Sequence, residues 1–137
     1  MDWSIEDNLI RLIRANPGIN FWLFFPPYSV LAYVPADSAQ LIAQIPFERA
    51  VLRELTPFPN VRVFDFQSAT EVTHDLGNYT DPVHYGRRIN EWIVDSIASD
   101  RFRITSDDVE QNLTRLIHDV NAYDLCRDRP DLWAVSR

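Results

Sequence analysis

The stretch INFWLFF, residues 19–25, decides how the fold of this chain is interpreted. Its apolar residues follow one another without the alternation expected of a strand that has one face in solvent. Turn-forming residues bound the run on both sides, with NPG at 16–18 before it and PP at 26–27 after it. Such a run predicts a central strand of a sheet that is covered on both faces.

Apolar residues at helical spacing predict a helix on each side of this strand. The first helix has a capping-box-like start at Ser4 and stops at Asn16. The second begins at Asp37 or Ser38, and Pro46 must kink it or begin another helix, because proline lacks the backbone N–H. The predicted inward positions are Ile5, Leu9, Leu12, Ile13, Leu41, Ile42, Ile45, Val51, Leu52 and Leu55.

The rest of the chain continues the alternation of strands and helices. VRVFDF at 61–66 predicts a second strand, and a polar loop follows it. Helices are predicted over 83–99 and from Ser106 to about Asp124, with the tail left loose. This order predicts an α/β fold with parallel strands. The predicted inward residues of these two helices are Tyr85, Ile89, Trp92, Ile93, Ile97, Val109, Leu113, Leu116, Ile117 and Val120.

Length and composition limit the classes of function. The chain has 137 residues, 46% of them hydrophobic, which predicts one domain over 1–126 and a tail over 127–137. A net charge of −7 without an arginine or lysine stripe argues against nucleic acid. No apolar run is long enough to span a membrane, and the first residues do not resemble a signal peptide, so we expect a soluble, by default cytoplasmic, protein. Cys126 is the single cysteine, which excludes an internal disulfide and a cysteine-based zinc site.

Asp81 and His84 form the main candidate site. Asp81 is predicted to be the N-cap of the helix over 83–99, with Pro82 as its first residue. The same carboxylate has a second oxygen that can hold one histidine nitrogen, which leaves the other nitrogen free to accept a proton from a nucleophile. We expect PPYS at 26–29 and DFQS at 65–68 to lie nearby, because sites form beyond the carboxyl ends of parallel strands.

Other interpretations of these residues remain open. On spacing alone, Asp-Pro before an amphipathic stretch is more often a generic helix start than half of a catalytic site. A metal site built from His74, Asp75, Asp81 and His84 has suitable ligands but no known spacing, and the sequence indicates no cofactor. The remaining candidates are expected to be structural: Asp65 as a second acid or a partner of loop amides, His118 at the surface, and Cys126 as a small hydrophobe.

DPVHYGRRINEWIVDSI, residues 81–97, resembles the final block of SGNH (GDSL-type) hydrolases. FWLFFPPYS at 21–29 and NVRVFDFQ at 60–67 are similar to the strands that precede that block, and the resemblance covers about residues 8–99. It is nearest to the bacterial, cell-envelope branch that acts on acyl groups of polysaccharides. The resemblance implies a carbohydrate-ester hydrolase or acyltransferase, with His84 as general base and Asp81 as its orienting acid.

The block that supplies the nucleophile in that family, Gly-Asp-Ser, and the Gly-x-Asn block that supplies its oxyanion donors are both taken as absent. Gly-Asp-Ser does not occur, and none of the glycines, Gly18, Gly77 and Gly86, lies at a strand-to-turn junction beside a serine. The resemblance therefore implies the C-terminal part of a flavodoxin-like three-layer α/β/α sandwich whose N-terminal half is missing. Ser29 and Ser68 are poor substitutes for the nucleophile, because neither lies on a strained turn.

Two functional hypotheses follow from this sequence. In the first, the chain is inactive alone, and an N-terminal half or a second polypeptide supplies the serine; a longer chain of this kind would be periplasmic or envelope-associated. In the second, the chain is a non-catalytic small α/β remnant or interaction module. An open sheet edge along INFWLFF would then favour a homo-oligomer or a partner strand.

Overall fold

The computed structural model of the chain describes residues 5–34 and 39–128. The predicted helix caps at Ser4 and at Asp37 or Ser38 lie outside the described residues, as does most of the predicted tail. The elements in chain order are a π-helical turn (Glu6–Ile10), α1 (Arg11–Ala15), β1 (Phe21–Phe25), a 3-10 turn (Val30–Ala32), α2 (Ala39–Leu55), β2 (Val61–Asp65), α3 (Thr70–Thr73), a 3-10 turn (Leu76–Asn78), β3 (Tyr79–Asp81), β4 (His84–Tyr85), α4 (Arg87–Ala98), β5 (Arg103–Ile104), α5 (Val109–Ala122) and α6 (Leu125–Asp128).

The main sheet of the described chain has three strands in the order β1-β2-β5. β1 and β2 are parallel, with Phe21 opposite Val61, as the sequence predicts. β5 was not predicted, and it pairs antiparallel with β2, so the expectation of parallel strands holds only for the first pair. The chain reaches β5 through a tight turn in which Asp100 and Phe102 have left-handed backbones, with φ of 55° and 62°. The fold is thus mixed α/β, and the larger flavodoxin-like arrangement stays a prediction.

The prediction that INFWLFF is a central strand is wrong for the described chain. β2 is central and β1 is the edge strand. Trp22 and Phe24 are 53% and 45% exposed, and the burial along β1 alternates. An unbroken apolar run shows that both faces of a strand are suited to burial, but it does not show how many strands lie beside it.

Helices cover the two faces of the sheet unequally. Val61 and Val63 of β2 join one apolar cluster with residues of α1, α2 and α5. Phe64 points to the other face, where it packs with Ile89 and Ile93 of α4. α4 covers β2 on that second face, whereas Trp22 and Phe24 of β1 stay exposed there.

The predicted inward faces of the helices are confirmed with three exceptions, and Tyr85, predicted on the helix over 83–99, lies on β4 instead. Leu12, Ile42 and Ile117 are 52%, 63% and 36% exposed. Pro46 does not divide the second helix, because α2 is continuous through it. The core that remains is still extensive, and its fully buried side chains include Ile13, Leu52, Leu55, Phe64, Phe66 and Leu113.

Candidate active site

A short β-hairpin carries the predicted acid and base. β3 pairs antiparallel with β4, and Asp81 lies opposite His84. The predicted helix start is therefore wrong: α4 begins at Arg87 after Gly86, and Asp81 does not cap it. Asp81 instead closes the hairpin turn, since its Oδ1 accepts from the backbone N–H groups of Val83 and His84, both at 3.0 Å. These bonds resemble those of a helix N-cap, which explains the error.

The predicted contact between the two side chains is present. Nδ1 of His84 lies 2.7 Å from Oδ2 of Asp81. Both side chains are exposed, at 77% for His84 and 48% for Asp81. Because the carboxylate can only accept when it is ionised, Nδ1 must carry the hydrogen of this bond, and neutral His84 then has a bare Nε2.

Hydrogen bonds hold Asp81 in its ionised form. The backbone N–H of Val83 and then the imidazole of His84 lower the pKa of Asp81 below its usual value. One oxygen of the carboxylate is fixed by the turn and the other by the histidine. Backbone geometry therefore orients the imidazole ring before any substrate or partner is bound.

The hairpin packs against the loop that leaves β1 at its carboxyl end. The backbone N–H of Ser29 donates to the carbonyl of Pro82 at 2.9 Å, and the hydroxyl of Tyr79 donates to the carbonyl of Pro27 at 2.7 Å. Burial raises the pKa of Tyr79, so its hydroxyl keeps the proton that it donates. The structure thus brings PPYS at 26–29 to the hairpin, as expected for the carboxyl end of a parallel strand.

Neither candidate serine hydrogen-bonds to His84. Ser29 is buried, and its Oγ accepts from the backbone N–H of Leu31 at 3.3 Å. Ser29 and Asp81 do line one small cavity of about 150 Å³, which does not include His84. Ser68 donates to the carbonyl of Asp65 at 3.3 Å. Within the described ranges, therefore, the imidazole is paired with an acid and not with a nucleophile.

One tripeptide, Gly18-Ile19-Asn20, does have the Gly-x-Asn spacing of an oxyanion block. It precedes β1, so it lies at the amino end of that strand. The hairpin packs at the carboxyl end of the same strand. This tripeptide therefore does not supply oxyanion donors beside His84.

The structure does not assemble the alternative metal site. No cluster of three or more suitable ligands occurs among residues 5–34 and 39–128. The ring of His74 packs edge-on against Tyr123 with centroids 5.1 Å apart, and burial lowers the pKa of its imidazole. Asp75 accepts from the backbone N–H of Gly77 at 3.0 Å, which caps a 3-10 turn.

The remaining candidates have structural or surface positions. Asp65 is fully buried and accepts from the backbone N–H of Gln67 at 2.9 Å and from the side chain of Asn112. Burial is the main cause that raises its pKa to about 6. His118 is exposed beside Asp119, and Cys126, which was expected to act as a small hydrophobe, is a free thiol at the surface.

Sequence reasoning missed a buried acid, Glu48. Its Oε1 accepts from the side-chain amides of Gln44 and Gln67, and its side chain is fully buried. The signal was present in α2, because position 48 falls on the inward face formed by Leu41, Ile45, Leu52 and Leu55. A charged residue on that stripe is a candidate for a functional or specifically bonded group.

Comparison of the chain with protein-family models, with curated proteins and with solved structures yields no match. The chain is therefore classified by its fold and its site alone. It is a mixed α/β chain that presents an Asp–His pair on a hairpin at the rim of its sheet. None of the described helices has the length and the apolar character needed to cross a bilayer.

Proposed function

We propose that Asp81 and His84 are the acid and base of a Ser-His-Asp ester hydrolase or acyltransferase, whose serine comes from a second polypeptide or a further chain segment. The observation that supports this most directly is the 2.7 Å bond between Nδ1 of His84 and Oδ2 of Asp81. It is the arrangement by which an acid orients an imidazole and leaves Nε2 for the nucleophile. The resemblance of residues 81–97 to the final block of SGNH hydrolases suggests carbohydrate esters as substrates.

In the proposed reaction His84 moves one proton. The serine Oγ attacks the ester carbonyl carbon while its proton passes to Nε2 of His84. Asp81 stabilises the resulting imidazolium through Nδ1–H. The tetrahedral intermediate then breaks its bond to the alcohol oxygen, which takes the proton from Nε2. Water, or an acceptor alcohol in a transferase, releases the acyl group by the same steps in reverse.

The exposure of His84 fits a pair that is completed by another surface. An imidazole 77% exposed has room for a serine to approach Nε2. Water competes at such a site, and no oxyanion donor is placed beside it among the described residues. We therefore expect the chain alone to hydrolyse esters no faster than the same concentration of free imidazole does.

The test uses the protein purified from its natural host, together with whatever polypeptide accompanies it. A fluorophosphonate probe forms an Oγ–P bond with an activated serine, expels fluoride, and needs a base to take the proton. We expect a labelled serine whose labelling falls at least about 100-fold in His84→Ala, in line with the loss of a general base. His118→Ala is the matched control, because His118 is also exposed and lies beside an acid. The absence of any labelled serine, or equal labelling in both variants, would disprove the proposal.

The outer edge of β1, which has no neighbouring strand among residues 5–34 and 39–128, favours a second function, an interaction module that pairs with a second copy of the chain. The N–H of Phe21 and the C=O of Phe25 bond toward β2, so by alternation the backbone groups of Trp22 and Phe24 face the open edge. FWLFF contains no charge and no proline, the usual devices that protect an edge strand. Two copies can pair these edges about a two-fold axis without bringing like charges of β1 together.

A further inference from the structure

A cavity beside the carboxyl end of β1 contains the one fully buried glutamate among the described residues. The cavity has a volume of about 400 Å³, and its lining includes Phe25, Tyr28, Gln44, Phe47, Glu48 and Gln67. Of these lining residues, Glu48 and Gln67 are buried, whereas Phe47 is 55% exposed. The volume falls within the range of small-molecule sites.

The carboxyl group of Glu48 is only half satisfied by hydrogen bonds. Oε1 accepts from Nε2 of Gln67 at 2.6 Å and from Nε2 of Gln44. Oε2 is buried and has no hydrogen-bond partner within residues 5–34 and 39–128. A buried acceptor without a donor is unfavourable. A ligand that brings a donor to Oε2 therefore gains more binding free energy from that hydrogen bond than it would from one at the surface.

The surroundings of Glu48 favour a cationic donor. The charged and titratable groups that face it are Asp65 at the end of β2, Tyr33 after the 3-10 turn, and Tyr28, which faces Tyr33, in the loop after β1. None of these carries a positive charge, and the ion pairs of the described arginines are made with other acids. A buried carboxylate that lacks a counter-ion is the group that an incoming cation neutralises best.

The walls of the cavity indicate the rest of the ligand. Phe25, Tyr28 and Phe47 are aromatic, and aromatic faces attract cations and apolar groups alike. An apolar groove of about 520 Å³, lined by Leu9, Leu23 and Val51 among others, shares Phe25 and Phe47 with this cavity. An unbranched alkyl group attached to the cation can therefore extend from Glu48 into the groove.

We propose that this cavity binds a primary alkylammonium compound, with its ammonium group at Oε2 of Glu48 and its alkyl chain in the groove lined by Leu9, Leu23 and Val51. The net charge of −7 on the chain attracts such a ligand from a distance. This site does not use Asp81 or His84, so it stands independently of the proposed hydrolase function.

The test is a titration of the whole chain with hexylammonium chloride, followed by calorimetry and by amide NMR shifts. The neutral compound 1-hexanol, which has the same chain length, is the matched ligand control. We expect hexylammonium to bind at least about 10-fold more tightly than 1-hexanol, since a charge-assisted hydrogen bond adds more than a neutral one. Butylammonium should bind about 16-fold more weakly than hexylammonium, at about fourfold for each methylene group (~0.8 kcal/mol).

Two variants of α2 test the role of the carboxylate. Glu48→Gln keeps the shape of the side chain and removes its charge, and it should reduce hexylammonium affinity about 10-fold or more. Glu54→Gln, an exposed position on the same helix, should leave the affinity unchanged. Thermal melts of both variants confirm that each is folded before the titration.

The pH dependence of the binding supplies an independent readout. Burial raises the pKa of Glu48 to about 7. Hexylammonium stays protonated across the neutral range, as lysine does. Affinity should therefore rise as the pH increases through about 7, and this rise should be lost in Glu48→Gln, where the remaining buried acid, Asp65, has a pKa of about 6. Equal affinity for 1-hexanol, unchanged affinity in Glu48→Gln, or no binding by millimolar hexylammonium would each overturn the proposal.

Discussion

Nδ1 of His84 and Oδ2 of Asp81 are 2.7 Å apart across a hairpin, while the other oxygen of Asp81 accepts from two backbone N–H groups of the same turn. One carboxylate therefore determines both the backbone of the turn and the tautomer of the imidazole. The pair is complete within residues 81–84. Its geometry does not depend on the burial that commonly surrounds such an acid.

Asp81→Asn should reverse the tautomer of His84. The amide oxygen still accepts from the turn N–H groups, but the NH₂ group donates to Nδ1 instead of accepting from it. The hydrogen of neutral His84 then moves to Nε2, and the base is lost while the hairpin persists. Side-chain ¹⁵N NMR distinguishes the two tautomers, and Asp119→Asn beside His118 is the control. A wild-type His84 with its hydrogen on Nε2 would contradict the structure.

Trp22→Arg should weaken self-association through β1. The side chain of Trp22 is 53% exposed on an edge strand whose outer backbone groups have no neighbouring strand in the described sheet. Two copies paired about a two-fold axis would bring the introduced charges close together, and like charges across strands are destabilising. Analytical ultracentrifugation should show an associated wild type and a monomeric Trp22→Arg at the same concentration.

Ile42→Arg supplies the control for this experiment. Ile42 is an exposed apolar residue at 63%, and it lies on α2 rather than on β1. Its substitution changes net charge and surface hydrophobicity in the same way, so it should not alter the association. A wild type that stays monomeric at every concentration would rule out the β1 interface.

Part of this fold could be predicted from the sequence, because its longer strands and helices have apolar patterns that extend over many residues. The parallel pairing of β1 with β2 follows from two apolar runs separated by a helix, and α5 follows from its periodic residues. β5 has only two residues, Arg103 and Ile104, which is too short for any period to be visible. Its antiparallel direction depends on the left-handed turn before it.

At the site, the side-chain contact could be predicted from the sequence, but the secondary-structure element that contains it could not. The Asp–x–x–His spacing predicted the contact between Asp81 and His84, which is local in sequence. It could not predict the surrounding element, because an aspartate that accepts from the second and third residues after it can close either a helix N-terminus or a tight turn. The choice is made by tertiary contacts, among them those of Tyr79 and Pro82 with the loop after β1.

Asn112→Ala should destabilise the fold more at high pH than at low pH. Asn112 donates to Asp65 in the interior, and this bond lowers the pKa of Asp65 against the larger effect of burial. Its loss leaves a buried carboxylate oxygen without that donor, which costs about 1–3 kcal/mol. The cost is greatest when Asp65 is ionised, above about pH 6. Urea unfolding at about pH 5 and about pH 8 measures the difference.

The exposed neighbour Gln111 on α5 provides the control for that measurement. Gln111→Ala should change the free energy of unfolding by less than about 0.5 kcal/mol at either pH. If the change in the free energy of unfolding for Asn112→Ala also fell within that range, or was the same at both pH values, the bond from Asn112 would not stabilise the ionised form of Asp65.

Glu48→Gln should stabilise the protein above neutral pH. Burial, and then the charge of Asp65, raise the pKa of Glu48 from 4.5 to about 7, so the fold favours the protonated acid. The stability that it contributes is complete below about pH 4.5 and is lost as the pH rises to about 7. A neutral glutamine avoids this loss, which amounts to at most about 3 kcal/mol. Urea unfolding across this pH range should give a flatter profile for Glu48→Gln than for wild type, whereas Glu54→Gln should retain the wild-type slope. Identical slopes for Glu48→Gln and wild type would mean that the pKa of Glu48 is the same in the folded and the unfolded chain. That result would contradict the rise in pKa caused by burial.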